Sequence, residues 1–198
     1  MVYIKKGGKM IKKGFTIMEI LIAITILVII FTLVTVMYVR GSRIRNVVVA
    51  YNEVGEVLTH MTDVLVNGRQ NFIGRDIPGL KFAKGIDSNS NQHTLIYKDT
   101  SENLYTFEIK INTGTSTDTS LYFEDKPLDP NNKIVLVSGS GFEYYYPDGT
   151  KKDPDSTATE TVTVVKIILH GKSNLPVMKN MNPIKMETLV RLKNNPSF

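Results

Sequence analysis

The sequence places a single carboxylate inside a long apolar segment. Glu19 is the only charged residue between Phe15 and Val39, which read FTIMEILIAITILVIIFTLVTVMYV. A charged carboxylate at the centre of a bilayer costs roughly 2.5–3.5 kcal/mol on insertion scales, and less near the headgroups. Glu19 must therefore reach the headgroups, bind a proton or pair with a cation. Lys12 and Lys13 are the nearest cations in sequence. A cut just before Phe15 would bring a closer one, because the new α-amine would lie one helical turn from Glu19.

Two polar loops carry carboxylates of the kind that bind calcium. The first loop, PDGTKKDPD, contains Asp148, Asp153 and Asp155. The second loop, EDKPLDPNN, contains Asp125, Asp129 and Asn131. Neither loop has the spacing of an EF-hand, and two lysines interrupt the first. We therefore expect solvated turns, with calcium in the first loop as the weaker alternative, and we predict no other cofactor.

The remaining side chains do not form a recognisable catalytic set. His60, His93 and His170 are isolated, with neither metal-ligand spacing nor a nucleophile or phosphate-loop motif nearby. The chain has no cysteine, which excludes a disulfide framework and a thiolate site. We therefore predict that the protein is not an enzyme. The three consecutive tyrosines of GFEYYYPDGT are expected to pack in a sheet, with at least one ring facing outward where a partner could contact it.

Residues 20–39 are long enough to cross a membrane. They contain no charged residue, and a helix of that length spans roughly 30 Å, the thickness of a bilayer core. In lipid every backbone polar group must be satisfied internally, so the segment is predicted to be helical despite its many β-branched residues. A buried core helix is the disfavoured alternative, because a cluster of lysines precedes the segment.

The charge distribution along the sequence predicts how the chain is oriented across the membrane. Five lysines lie among the first fourteen residues, and they account for the whole net charge of +5. A basic N-terminus before an apolar helix predicts that this end is cytoplasmic and that the body of the protein is exported. Because the remainder is formally neutral, it gives no support to nucleic-acid binding. The apolar run ends VTVMYVRGS without a signal-peptidase site, so the helix is expected to be retained.

The segment KKGFTIMEILIAI, residues 12–24, resembles the processing motif of type IV prepilins and type II secretion pseudopilins. Lys12 and Lys13 match the basic leader, Gly14 the residue before the cut, and Phe15 the first mature residue. The resemblance implies that a membrane aspartic peptidase cuts between Gly14 and Phe15 on the cytoplasmic side. It also implies that the same enzyme methylates the new amine, giving N-methylphenylalanine. Glu19, at the fifth mature position, would then pair with an N-terminal amine and set the axial register between filament subunits.

The same resemblance implies partners and a location. The partners are other pilin or pseudopilin subunits, prepilin peptidase and an inner-membrane assembly platform. The location is the bacterial inner membrane, as a single-pass protein with its N-terminus cytoplasmic and its head outside, and then a periplasmic or extracellular filament. Met10 is an alternative start that would shorten the leader to MIKKG. The family often has a proline at the twenty-second mature position, where this chain has Val36, so no proline kink is expected there.

The helix is predicted to continue beyond Val39 as an amphipathic segment. Apolar residues spaced by three and four form a seam at Ile44, Val47, Tyr51, Val54, Leu58, Met61 and Leu65. An Asn-Gly pair then forms a typical helix stop. We predict one helix from Thr16 to Val66, about 75 Å long, with its distal half packed on a sheet. A homo-oligomeric coiled coil is the alternative.

The rest of the chain predicts a β-rich head. Residues 67–92, rich in Gly, Asn, Asp and Ser, are expected to be a long connector. Strand-like runs follow at 94–97, 104–111, 121–123, 134–137, 142–146, 161–169 and 184–193. In the second run Tyr105, Phe107, Ile109 and Ile111 are expected to share one face.

A helix followed by antiparallel strands predicts an α+β fold. The expected form is a pilin-like lollipop, whose helix spans the membrane in its first half and packs by its second half on an antiparallel β-sheet head. The domains are then 1–14 for the removed leader peptide, 15–39 for the transmembrane or filament-core helix, 40–66 for its amphipathic continuation and 67–198 for the head.

A looser resemblance covers the C-terminal half. GFEYYYPDGT, residues 141–150, and the closing VRLKN, residues 190–194, are similar to minor pseudopilins of the J type and to PilW-like minor pilins. The function implied is that of a minor pilin or pseudopilin, a structural subunit of a type IV pilus or type II secretion endopilus. One alternative is a signal-anchored envelope enzyme or solute-binding module, which predicts a convergent polar site in the head. The other is a membrane-anchored coiled-coil scaffold, which predicts a stable oligomer of residues 40–66 alone.

Overall fold

The structure of the protein is a computed structural model that describes residues 2–6, 9–13, 15–72, 75–111, 119–153, 162–175 and 182–193. The chain divides into two compact units, Met1–Asn46 and Val47–Phe198. One long helix is followed by antiparallel strands, and every strand pair among the described residues is antiparallel. The predicted α+β class is therefore confirmed.

The first unit contains a hairpin and the start of the helix. Strand β1 (Val2–Lys6) pairs with β2 (Lys9–Lys13), with Ile4 opposite Ile11. The helix α1 (Ile17–Asn67) has 51 residues, and no proline interrupts it. Its bounds differ by one residue at each end from the predicted ones. Every side chain from position 15 to position 46 is exposed.

The distal half of α1 belongs to the second unit and presents one apolar stripe to its core. The buried residues of the helix are Ala50, Val54, Leu58, Met61, Val64 and Leu65. Four of the seven predicted seam residues are among them. Val47 and Tyr51 are only half-buried, and Ile44 is exposed, so the prediction of a seam beginning at Ile44 is wrong. The helix stop is confirmed, since Gly68 takes the left-handed conformation, with φ 81°, that glycine favours after a helix.

The segment predicted as a connector contains regular structure instead. Strand β3 (Gly68–Phe72) pairs with β4 (Arg75–Pro78), and a short 3-10 turn (Leu80–Phe82) and β5 (Gly85–Ile86) follow. This segment buries Ile77, Leu80 and Ala83. Their spacing of three residues matches neither the period of a strand nor that of an α-helix, so the sequence pattern concealed them.

A five-stranded sheet, β5-β6-β7-β8-β9, forms one wall of the core. Its other members are β6 (Thr94–Lys98), β7 (Leu104–Ile109), β8 (Leu121–Phe123) and β9 (Lys126–Pro127). Phe107 lies 6.1 Å from Tyr97 and 5.0 Å from Phe123, measured between ring centroids. Phe107 and Ile109 are buried, and Tyr105 and Ile111 pack against the same cluster, which confirms the predicted face of this strand.

A four-stranded sheet forms the second wall. It consists of β10 (Ile134–Leu136), β11 (Gly141–Tyr145), β12 (Val164–Ser173) and β13 (Ile184–Arg191). The long central strand β12 pairs with β10 and β11 along one side and with β13 along the other. Alternate residues of β12, among them Val165, Ile167 and Leu169, point into the core. All seven predicted strands are present. Most of their ends lie within three residues of the predicted bounds.

One hydrophobic cluster joins the parts of the second unit. The helix contributes residues from Val54 to Leu65, the β3–β4 hairpin contributes Ile77, and both larger sheets contribute their inward faces. The second unit therefore has a single core shared by the helix and the sheets.

Candidate functional site

The first turn of α1 holds Glu19 in a reciprocal cap with Thr16. The backbone N–H and the hydroxyl of Thr16 both donate to Glu19 Oε2, at 2.8 Å and 3.0 Å. In return, the backbone N–H of Glu19 donates to Thr16 Oγ1 at 3.2 Å. This arrangement is a capping box, in which two backbone donors that the helix cannot satisfy are bound by side chains instead.

The cap is a further use of Glu19 that the sequence predictions did not include. Its signal, Thr-x-x-Glu immediately before an apolar run, lies at residues 16–19 and could have been found. A carboxylate here also lies at the positive end of the helix dipole. The Glu19 carboxylate is thus hydrogen-bonded to Thr16, the residue that directly follows Phe15. It lies at the start of the helix rather than in its middle.

The helix beyond this cap has an apolar surface with its polar groups satisfied internally. Thr25, Thr32 and Thr35 donate their hydroxyls to the carbonyls of Leu21, Val28 and Phe31, each at 2.8 Å. The backbone is satisfied by the helix itself, so a segment of this kind can enter lipid without unpaired polar groups. The helix is long and apolar enough to cross a membrane. An exposed apolar surface of this extent is typical of segments that contact lipid or another protein.

The structure describes only part of the predicted processing motif. Gly14 lies outside the described residues. Lys12 and Lys13 are described only as backbone, in β2. Phe15 is exposed and directly precedes Thr16. Of the predicted site residues, Glu19 is therefore the one whose hydrogen bonds are described, and its partner is Thr16, the residue next to Phe15.

The first candidate calcium loop is a hydrogen-bonded turn at Asp148. The carboxylate accepts the backbone N–H of Thr150 at 2.8 Å and its hydroxyl at 2.7 Å, and these bonds lower the pKa of the Asp148 side chain. Gly149 supplies the positive φ of 82° that the turn requires. Asp153 is exposed, and Asp155 lies outside the described residues. Within the described part of the chain, no group of three or more His, Asp or Glu side chains is placed to hold a metal ion.

The second candidate loop uses its aspartate structurally. Asp129 is buried, and its Oδ2 accepts the backbone N–H of Ile134 at 3.1 Å, where β10 begins. Its backbone carbonyl also accepts the N–H of Asn132. Asp125 and Asn132 both have positive φ, so this loop is a tight turn.

The histidines are separated in the fold as they are in the sequence. The Nε2 of His60 lies 3.0 Å from an Arg69 guanidinium nitrogen at the exposed end of α1. The Nδ1 of His170 lies 3.3 Å from the Ser138 carbonyl, and its Nε2 is buried without a hydrogen-bond partner among the described residues. His93 is half-buried at the start of β6.

An open cleft of about 800 Å³ lies on the outer face of the four-stranded sheet. Its walls include Tyr145, Tyr146 and Leu189, so one of the three consecutive tyrosines faces outward from β11 as expected. The third ring, Tyr144, is buried and donates its hydroxyl to the carbonyls of Asn91 and Thr94. Two of the three tyrosines therefore lie where a partner can reach them.

Charged side chains beside the cleft form a network across three strands. Lys166 of β12 lies between Glu143 of β11, at 3.9 Å, and Glu187 of β13, at 3.3 Å. Lys151 and Lys185 complete the network, at 2.6 Å from Glu143 and 2.5 Å from Glu187. The hydrogen bonds from Lys151 and Lys185 lower the pKa of Glu143 and Glu187 respectively. These charges are paired with one another along the sheet.

Comparisons with known proteins identify no relative. The chain matches no protein-family model, no curated protein and no solved structure. The resemblance to prepilins therefore depends on the residues of the motif themselves.

Proposed function

We propose that the protein is a minor pilin or pseudopilin, a non-enzymatic structural subunit of a type IV pilus or of a type II secretion endopilus. One observation carries the proposal. The only charged residue of the exposed apolar segment 15–39 is hydrogen-bonded in the first turn of α1, beside the residue that the prepilin motif makes the new N-terminus. A carboxylate in that place is suited to pair with an amine created by cleavage.

Processing is the first step of the proposed function. The chain inserts in the bacterial inner membrane with its N-terminus in the cytoplasm and its β-rich part outside, as the basic leader favours. Prepilin peptidase then cuts between Gly14 and Phe15 and methylates the Phe15 amine. A glycine before the cut suits a narrow peptidase site, because its backbone leaves helical geometry at little cost.

Assembly is the second step. An assembly platform in the inner membrane transfers the helix from lipid into the core of a filament made of other pilin or pseudopilin subunits. Apolar packing of residues 15–39 against neighbouring helices supplies the contact area, since these side chains are all exposed. The pair between Glu19 and a methylated amine would set the register, because a buried charge left unpaired is costly.

Minor rather than major status is supported by three features. The head carries a run of three consecutive tyrosines at 144–146, Val36 stands where the family often has a proline, and residues 141–150 and 190–194 are similar to those of J-type minor pseudopilins. The cleft lined by Tyr145, which faces outward, and by Tyr146 offers a surface for partner subunits.

Intact-mass analysis of the protein extracted from membranes tests the proposal. The expected mass lacks the first fourteen residues and carries one added methyl group on Phe15. A matched variant, Gly14→Val, is expected to keep the leader while it remains in the membrane. An uncut wild-type chain in cells with an active prepilin peptidase would contradict the proposal.

A further inference from the structure

Three arginines follow directly after the apolar span and form what we call the arginine cluster. Arg40, Arg43 and Arg45 lie in α1, and their side chains are exposed. Within the part of the chain that the structure describes, none of the three lies in an ion pair. The sequence has no acidic residue between Glu19 and Glu53, and Glu53 Oε1 lies 3.1 Å from the Nζ of Lys133. The cluster is therefore a concentration of positive charge with no acid near it along the helix.

The length of the helix sets the depth of the arginine cluster in a membrane. Residues 20–39 span roughly 30 Å, which matches the hydrocarbon core of a bilayer. From Arg40 to Arg45 the helix rises a further 8 Å or so, about 1.5 Å for each residue. The headgroup region on one side of a bilayer is roughly 5–8 Å thick. A helix that crosses the membrane with residues 20–39 thus places all three arginines among the headgroups where the span ends.

The three arginines project from different sides of the helix. Each residue of an α-helix is turned by about 100° from the one before it. Arg40 and Arg43 are then about 60° apart around the axis, and Arg45 is about 160° from Arg43. A partner protein would cover one side of the helix, whereas lipid headgroups surround it. The distribution of the arginines therefore favours a lipid surface over an acidic protein.

Two neighbouring side chains suit the same boundary. Tyr38 is 77% exposed and lies one turn or less from the cluster, and tyrosine is enriched where a membrane meets water. Ile44 is 65% exposed between Arg43 and Arg45. At a lipid surface an isoleucine can contact the upper part of the acyl chains. The stems of the arginines can lie beside it while their guanidinium groups reach the headgroups.

We propose that Arg40, Arg43 and Arg45 bind the phosphates of anionic phospholipids in the leaflet where the span ends. A guanidinium group matches a phosphate with two parallel hydrogen bonds. A leaflet with net negative charge attracts basic residues near its surface more strongly than a neutral leaflet does. The inference rests on the membrane span of the proposed function and needs neither the cut after Gly14 nor a filament. The bound lipids would hold the helix at a fixed depth.

The arginine cluster agrees with the proposed orientation of the chain. Five lysines precede the span and three arginines follow it, so the bias still favours a cytoplasmic N-terminus. A cut after Gly14 would remove all five lysines. The mature chain would then have no lysine or arginine before Arg69 other than the cluster. The cluster would thus supply the basic side chains at the membrane surface after processing.

Native mass spectrometry of the full chain in mild detergent tests the proposal. The chain is offered equal amounts of phosphatidylglycerol, which is anionic, and phosphatidylcholine, which is neutral, with the same acyl chains. We expect about tenfold more bound phosphatidylglycerol than phosphatidylcholine. Changing all three arginines to glutamine is expected to make the two lipids bind about equally, and changing all three to lysine is expected to keep the preference.

A matched control removes the same charge from exposed positions of the head. It combines three lysine substitutions, Lys98→Gln, Lys126→Gln and Lys193→Gln, and is expected to keep the lipid preference. Equal binding of the two lipids by the wild type would overturn the proposal, as would equal loss of preference in the arginine and lysine variants. Displacement of the lipid by soluble glycerol phosphate at millimolar concentration would also overturn it, because it would indicate a site for free phosphate.

The same spectra separate this proposal from the proposed processing. They report the mass of the chain, so they show whether Phe15 is the N-terminus. An uncut chain that prefers phosphatidylglycerol would contradict the processing and support the lipid site. A cut chain without the preference would do the reverse. A glutamine variant that keeps the lipid preference but is lost from filaments would overturn the lipid site, since it would assign the arginines to a protein partner.

Discussion

Leu58 of α1 packs directly on the backbone of Gly171 in β12. A methyl group added at Gly171 would lie 3.1–3.3 Å from Cγ and both Cδ atoms of Leu58, which is closer than ordinary carbon contacts. Leu58 is fully buried. The absence of a side chain at position 171 thus determines how closely the helix approaches the sheet.

This contact predicts strong coupling between the two positions. Leu58→Ala is expected to lower the free energy of unfolding by about 2–5 kcal/mol, because it leaves a cavity. Gly171→Ala is expected to lower it by about 1–3 kcal/mol through crowding. The double variant is expected to lose less free energy of unfolding than the two single variants together, by about 0.5 kcal/mol or more, since the new methyl group occupies part of the cavity. Denaturant unfolding of the detergent-solubilised chain, followed by circular dichroism, measures the cycle.

A matched control lies on the same helix. Val48 is 50% exposed, so Val48→Ala is expected to change the free energy of unfolding by less than about 0.5 kcal/mol. Additive effects of Leu58→Ala and Gly171→Ala would show that the two residues do not share a contact.

The cap at the start of α1 predicts faster amide exchange when the Thr16 hydroxyl is removed. Thr16→Val keeps the shape of the side chain but leaves the N–H of Glu19 without its acceptor. Loss of a cap costs about 1 kcal/mol, so hydrogen exchange at the Glu19 amide is expected to accelerate about fivefold. Thr16→Ser is the control and is expected to exchange like the wild type. Equal exchange in the valine and serine variants would remove the role assigned to the hydroxyl.

The two roles of Glu19 can be separated by Glu19→Gln. The amide oxygen of glutamine can accept the Thr16 N–H and keep the cap, but it carries no charge. If Glu19 pairs with the N-terminal amine, this variant is expected to be cut and methylated normally and to be absent from sedimented filaments. Glu19→Asp retains the charge on a shorter side chain and is expected to retain partial assembly. Normal incorporation of Glu19→Gln would mean that the residue serves the cap alone.

The two larger sheets are linked by Tyr144, and this link predicts a stability loss. Its buried hydroxyl donates to the carbonyls of Asn91 at 2.9 Å and Thr94 at 3.1 Å. Burial raises the pKa of Tyr144, so the hydroxyl stays protonated and remains a donor. Tyr144→Phe is expected to lower the free energy of unfolding by about 1–2 kcal/mol, because the hydrogen bonding of a buried hydroxyl is lost. Tyr38→Phe, at an exposed tyrosine, is the control and should leave the thermal midpoint unchanged.

The charge network on the outer face predicts a pH dependence of stability. The hydrogen bond from Lys151 lowers the pKa of Glu143 below its ordinary value of 4.5 in the folded chain. The unfolded state then binds the proton more tightly, so the stabilising effect is complete above the ordinary pKa and is lost as the pH falls through the lower folded pKa. Thermal unfolding between pH 6 and about pH 3 is expected to show this loss, and Glu143→Gln is expected to reduce it. An unchanged pH profile in that variant would assign the loss to other carboxylates.

Local pattern was enough to predict most elements of this fold. Strand β7 alternates its inward apolar residues with mostly polar ones, β12 begins with a run rich in Val and Ile, and Gly68 follows the helix at its end, so these elements were found within a few residues. The hairpin β3–β4 was missed because its strands are short and polar, and because its buried residues do not follow a regular period. Short elements of this kind depend on contacts with the rest of the core.

The sequence by itself determined where the charge of Glu19 falls, that the segment around it is apolar and that a Thr-x-x-Glu cap is available, because all three depend on residues adjacent in the chain. Only the tertiary structure decided that the buried stripe of α1 begins at Ala50 rather than Ile44, and that the strands divide into two larger sheets. It also decided that, among the described strands, β13 lies at the edge of its sheet. Periodicity shows that a strand or helix has an apolar face, but which face meets which partner is settled by packing between residues distant in sequence.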